Sequence, residues 1–200
     1  MFDENKFNEF CNELNIFLGM HHELYENICK DVYLEELTSK VFKSIGLDSD
    51  WKPDFSHSVG KDQSINKKGI SNKSGMILID KNNELTIKIS GSRTSKYETL
   101  GAKLNFLQNN NYDYILGCGT NKTEIESGLK KYYCYLIDSE KFNFFDWDWQ
   151  EDEDKKGDKK WYASYENIEA VIQSRSTSNQ LWLTVSKDFC DFFQIIDVEY

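Results

Sequence analysis

The chain has 200 residues, 39% hydrophobic and 14% aromatic, enough to close one core and too few for two full-sized domains. Its formal net charge of −10 argues against a protein that coats nucleic acid without specificity, but allows one that holds it in a local basic groove. No apolar run approaches a membrane span, and the acidic start MFDENKFNEF is unlike a signal peptide, so one cytoplasmic α/β domain over 1–200, away from membranes, is expected.

Phe7, Phe10, Leu14, Phe17 and Leu18 recur at helical spacing, which predicts a helix over 4–18 stopped by Gly19. Leu34, Leu37, Val41, Phe42 and Ile45 predict a second helix between about 23 and 45, stopped by Gly46. The stretch from Pro53 to Gly75 is rich in Gly, Ser, Asn and Lys and reads as loops around one or two short strands. Met76–Ile79 and Leu85–Ile89 flank a short polar turn, a hairpin pattern. Tyr97–Gln108 reads as a helix, Tyr112–Leu116 and Tyr132–Ile137 as strands. The acidic, aromatic segment 142–162 reads as a solvated loop whose tryptophans pack on the sheet. A short helix over Ile168–Ile172, a strand over Leu181–Val185 and a terminal element over Phe189–Ile196 complete the expectation.

The five cysteines, Cys11, Cys29, Cys118, Cys134 and Cys190, show no C-x-x-C spacing, the pattern of free thiols in a reducing compartment. Cys118 has no identifiable histidine partner and reads as a small packed residue at a strand end. His21 and His22 beside Glu23 are chemically able to bind metal, yet neighbours on a helix point about 100° apart. No P-loop, G-x-S-x-G elbow, G-x-G-x-x-G or H-E-x-x-H is present.

Charge is unevenly distributed. Acid gathers at both termini and in 146–154, whereas Lys61, Lys67, Lys68, Lys73, Lys81, Lys88, Arg93, Lys96 and Lys103 make the middle of the chain basic. Arg93 and Arg175 are the two arginines, in SGSRTSK and QSRSTSNQ. A guanidinium fork among hydroxyls suits phosphate oxygens or a guanine edge.

From residue 23 the expected elements run helix, short strand, strand, partner strand, helix, strand. This order over 23–117 resembles the core of the PD-(D/E)XK nucleases, which include most type II restriction enzymes, with a mixed central sheet flanked by helices. The resemblance implies Mg2+-dependent, site-specific hydrolysis of double-stranded DNA by a homodimer. It also implies a carboxylate near the second strand and an acid-x-Lys on the third. Hard carboxylate oxygens hold the cation, and a lysine steadies the charge that develops in phosphodiester hydrolysis.

On this reading Lys88, within Leu-Thr-Ile-Lys-Ile-Ser, takes the lysine's place, although Thr86 stands where the acid is expected. Asp62 is the preferred metal ligand; Asp54, Glu84, and Glu35 or Glu36 are the other candidates, of which Glu84 and Glu36 complete the expected set. Lys73, Ser90, Ser92, Arg93, Thr94 and Lys96 are expected on the DNA backbone, and Arg175, Asn179 and Gln180 at base edges. Two other readings stay open: an acidic inhibitor that mimics DNA, and a catalytically inactive nuclease fold that only binds.

Overall fold

A computed structural model describes residues 3–52, 61–109, 112–153, 159–166, 168–175 and 178–198. Helix α1 spans Glu4–Leu24, begun by Asp3, whose side chain accepts from the Lys6 amide. It runs through Gly19 instead of stopping there, because the buried stripe of Phe7, Phe10, Leu14 and Leu18 continues to His22. Such burial outweighs the cost of about 1 kcal/mol for one mid-helix glycine. Helix α2 therefore starts late and spans Asp31–Ser44. His22 holds the corner between them: its Nε2 lies 2.8 Å from the Tyr132 hydroxyl and its Nδ1 3.1 Å from the Tyr25 carbonyl.

Strands β1 (Gln63–Ile65) and β2 (Lys68–Lys73) form a hairpin. Its two-residue turn, Asn66-Lys67, has φ of 48° and 72°, as a primed turn requires. The expected second hairpin is present as β3 (Met76–Ile79) and β4 (Leu85–Arg93). Helix α3 covers Leu100–Gln108 and starts three residues later than expected, because Thr99 Oγ1 caps the Ala102 amide at 3.3 Å. Then come β5 (Tyr114–Asn121), α4 (Lys122–Glu126) and β6 (Lys131–Asp138).

The C-terminal part is richer in strands than expected. Strands β7 (Gln150–Glu153) and β8 (Lys159–Tyr165) replace much of the supposed loop, and β9 (Ile168–Arg175) replaces the short helix. Alternate burial of Ile168, Ala170 and Ile172 follows the two-residue period of a strand. Strands β10 (Ser178–Ser186) and β11 (Phe192–Asp197) end the chain's regular structure.

All the strands join one mixed sheet in the order β1-β2-β5-β3-β4-β10-β9-β8-β7, with β6 also on β5 and β11 on β6. Strands β2 and β3 lie end to end along one edge of β5, both parallel to it, and break at Ser74-Gly75. Around β2, β5, β6 and β11, one face packs α1 and α2 in a core containing Phe7, Phe42, Ile70, Leu116 and Tyr132. The opposite face, continuous into β3, β4 and β8–β10, packs α3 and the aromatic segment through Ile87, Leu104, Tyr135, Trp147 and Leu183. As expected, Trp147 and Trp161 are core residues. No described helix is long and apolar enough to cross a membrane.

Because α1 and α2 cover only the first part of the sheet, the same face of β3, β4, β10, β9 and β8 is left open by the described residues. Lys88, Trp182, Val171 and Tyr162 stand on it, exposed or half-buried, while their strand neighbours Ile87, Ile89, Leu181, Leu183, Ile172 and Trp161 face the core.

Candidate functional site

The β1–β2 turn sets the site. With Gln63 opposite Ile70, Asp62 falls beside Ser71 where β1 has run out. The Asn72 amide would lack a partner at this sheet edge. Asp62 Oδ2 takes it at 2.6 Å, and Ser71 Oγ donates to the same oxygen at 3.2 Å. Across from this edge, α2 presents Glu35, to whose Oε2 the Trp51 indole N–H donates at 3.5 Å.

Burial raises the pKa of Asp62, opposed by the Lys73 charge and by the hydrogen bonds from Asn72 and Ser71. Burial also raises that of Glu35, reinforced by the charge of Asp62 and opposed by Trp51 and Lys73. Glu35, Asp62 and Lys73 thus form one electrostatic cluster drawn from α2, the approach to β1 and the end of β2. Two half-buried carboxylates whose charges oppose one another favour protonation or the approach of a cation. Asp31, at the start of α2, further raises Glu35, and Ser74 Oγ donates to its Oδ1 at 3.3 Å.

Among the described residues no group of three or more His, Cys, Asp or Glu forms a metal-ligand set. Neutral oxygens must contribute if a cation is held here. Asn72, between Ser71 and Lys73 on β2, is 7% exposed, and neither Oδ1 nor Nδ2 has a hydrogen-bond partner; its side chain lies on the strand face opposite Ser71. The donor chemistry, hard oxygen throughout, fits Mg2+ or Ca2+.

The expected constellation is only partly assembled. Asp62 meets Lys73, which was expected on the DNA backbone, and not Lys88. Lys88 pairs with Met76, five residues along the β2–β3 line from Ser71, about 16 Å at the rise of a strand. Its ammonium lies 5.2 Å over the Trp182 ring. Glu84 is farther still, one residue beyond the end of β4 that pairs with Ile79, about 30 Å away on the same rule. Glu36 points away from Glu35 and pairs with Lys40 at 2.8 Å on the solvent side. Asp54 lies outside the described residues.

The basic middle of the chain does not form one surface. Lys68 pairs with Asp113, Lys61 lies near Asp50, and Lys103 is 1% exposed. Lys103 instead donates to the Thr94 carbonyl at 3.1 Å and lies 5.7 Å over Trp161. Thr94 is itself fully buried, its amide bonded to the Asn179 carbonyl at 2.6 Å. Its side chain is therefore structural and not available to DNA.

The two Ser/Arg segments do come together. Arg93 pairs with Gln180 while Ser90 pairs with Trp182, so β4 carries one extra residue at Gly91-Ser92. Without that bulge Arg93 would share the buried face of Ile87 and Ile89; with it, Arg93 joins Lys88 and Ser90 on the open face. Gly91 is needed because an added Cβ would lie 3.0 Å from Leu181, and Gln180 Nε2 donates to the Gly91 carbonyl at 2.9 Å. Asn179, next to Gln180 on β10, is half-buried, and the backbone of Arg175 pairs with Ser178. Ser90 and Ser92 are half-buried, and Lys96 is exposed.

The platform so formed has cross-strand rows that sequence reasoning missed: Ser90, Trp182, Val171 and Tyr162, then Arg93, Gln180, Gln173 and Lys160. Only the period-two pattern of β8 and β9, hidden by reading them as loop and helix, would have revealed it. Comparison with known proteins finds no matching family, no similar curated protein and no similar solved structure.

Proposed function

We propose that the chain is a divalent-cation-dependent endonuclease of restriction type, cutting double-stranded DNA at specific sites. The observation that carries this reading is the clustering of Glu35, Asp62 and Lys73 at the edge of a mixed sheet. Asp62 then takes the place of the first carboxylate of the resembled motif and Lys73 that of its lysine. Ser71 replaces the acid two residues earlier, and Glu35 brings a carboxylate from the helix.

Glu35 and Asp62 would hold Mg2+, which when bound supplies a Lewis acid for the scissile phosphate and lowers the pKa of its water. Lys73 is close enough to act on both carboxylates and offers positive charge to the phosphoryl oxygens. The open face offers Lys88, Arg93 and Lys160 to phosphates and Gln180 to a base edge. A homodimer on a palindromic site is the assembly expected of such an enzyme.

The test is incubation of plasmid and genomic DNA with and without Mg2+, using wild type, Lys73→Ala and Lys88→Ala. Discrete fragments that need Mg2+ and Lys73, with Lys88→Ala still cutting at high protein concentration, support this assignment. Intact DNA across varied substrates would remove the active-enzyme reading. The serine at position 71 favours one second reading, an inactive relative that binds DNA; retained binding without cutting identifies it.

A further inference from the structure

We propose that Cys118 and Cys134 are an oxidisable dithiol, at which a small-molecule disulfide closes a cross-strand bond between β5 and β6, independently of any cation or DNA. The Ser139 N–H donates to the Asp113 carbonyl at 2.9 Å, one step beyond Tyr114 and its partner Asp138. Asp113 and Ser139 are therefore a hydrogen-bonded pair of this antiparallel ladder, and such pairs alternate with non-hydrogen-bonded ones. The register runs unbroken to Gly119 opposite Tyr133, which makes Tyr114, Leu116 and Cys118 the non-hydrogen-bonded members of β5. At such a pair the Cα atoms stand about 4.5 Å apart and the side chains are closest, inside the span that a disulfide bridges. The sulfurs of Cys118 and Cys134 are 3.0 Å apart, about 1 Å more than a covalent S–S bond.

Both thiols are free and face the core under α1 and α2. Burial, and after it the thiols of Cys11 and Cys118, hold Cys134 protonated well above the ordinary thiol range. Burial, and after it the Cys118 thiol, pushes Cys29 up to about 12. The closed fold is thus inert, and exchange runs through transient opening of the helices from the sheet. On opening, one cysteine thiolate attacks the small disulfide, releases one small thiol and leaves a mixed disulfide. The second cysteine thiolate then attacks the cysteine sulfur of that mixed disulfide and releases the second small thiol. The two cysteines lose two electrons, the small disulfide gains them, and the two cysteine protons end on the released thiols. The bond joins residues 16 apart in the chain and so restrains the unfolded state. Cys118 follows Gly117, the residue paired with Lys73, so the bond fastens the strand that carries the end of β2.

The test holds the full, reduced chain in urea just below its unfolding midpoint, where opening admits the oxidant, across glutathione buffers from fully reduced to fully oxidised. Free thiols are then alkylated, tryptic peptides are weighed, and the thermal midpoint is read after the urea is removed. The oxidised chain is expected to carry one bond, joining the peptide over 104–122 to that over 132–141. It should melt about 6–12 °C above the reduced chain, the gain for a closed loop of about 15 residues in a chain of this size. Dithiothreitol reverses both changes. Cys11→Ser keeps the bond and the shift, and Cys118→Ser loses both. Thiols that stay reduced at every ratio, glutathione left on either cysteine, or a bond made instead to Cys11, Cys29 or Cys190 overturns the proposal, as does a bond that leaves the midpoint unmoved. Should Cys118→Ser fail to fold, the wild-type peptide map and its reversal decide alone.

Discussion

Asp62 is desolvated at the edge of the sheet, with Lys73 as the largest influence opposing its raised pKa. Because that pKa lies above its ordinary value, the folded chain retains the proton to higher pH than the unfolded chain. The stability associated with this is complete below the ordinary carboxylate range of about 4 and is lost as pH climbs through the raised value. Asp62→Asn keeps an acceptor for the Asn72 amide and removes the charge. Without cation it is expected to melt above wild type near neutrality, and the gap should close on acidification; a gap that widens toward acid refutes this. The same variant should lose cutting activity by about a hundredfold or more, the scale of removing a group aimed at transition-state charge. Lys73→Met takes away the charge that lowers both carboxyl pKa values. Its cation affinity, measured against pH, should then reach a plateau at higher pH than in wild type.

At the scale of elements, the tight contact between β5 and β6 supports the broken β2–β3 line. An added Cβ at Gly117 would overlap the Tyr135 ring, whose hydroxyl lies against Gly75 at the break. Gly117→Ala must push the ring toward Gly75 or out of its core site. It is expected to cost about 1–3 kcal/mol, the range for overpacking, read as a lower urea midpoint with an unchanged m-value. Cation affinity should fall with it, because Lys73 is paired in register with Gly117. The Gly91-Ser92 bulge is the second element that controls function. It turns Arg93 out of the core, where an unpaired guanidinium would be costly, and into line with Lys88.

For the whole molecule, the net charge of −10 makes the local arrangement decisive. Lys88 and Arg93 stand on the half of the open face nearest the carboxylate cluster, whereas β7 carries Glu151 and Asp152 at its far edge. Duplex DNA is therefore expected to enter from the β4 side. Replacing Lys88 or Arg93 by Ala should reduce the slope of log affinity against log salt by about one for each phosphate that is no longer neutralised. The cutting rate at saturating protein should change little. An unaltered salt slope in both variants, measured by anisotropy, would place the DNA elsewhere.

The local sequence alone determined the opening helices, the β3–β4 hairpin and the strand cores of β5, β6 and β10, and it named Asp62 as an acidic candidate, because apolar period and turn residues act over a few neighbours. Glu35 was named beside Glu36, but only the packing of α2 over β2 selects between them. Lys73 rather than Lys88 meets Asp62 because the Asn66-Lys67 turn sets the β1–β2 register, and the end-to-end placement of β2 and β3 on β5 separates the two lysines. The open platform, the outward turn of Arg93 and the burial of Lys103 and Thr94 depend on partners up to about ninety residues apart in the chain. Such pairings are energetically specified by burial on one sheet face, which no local pattern encodes.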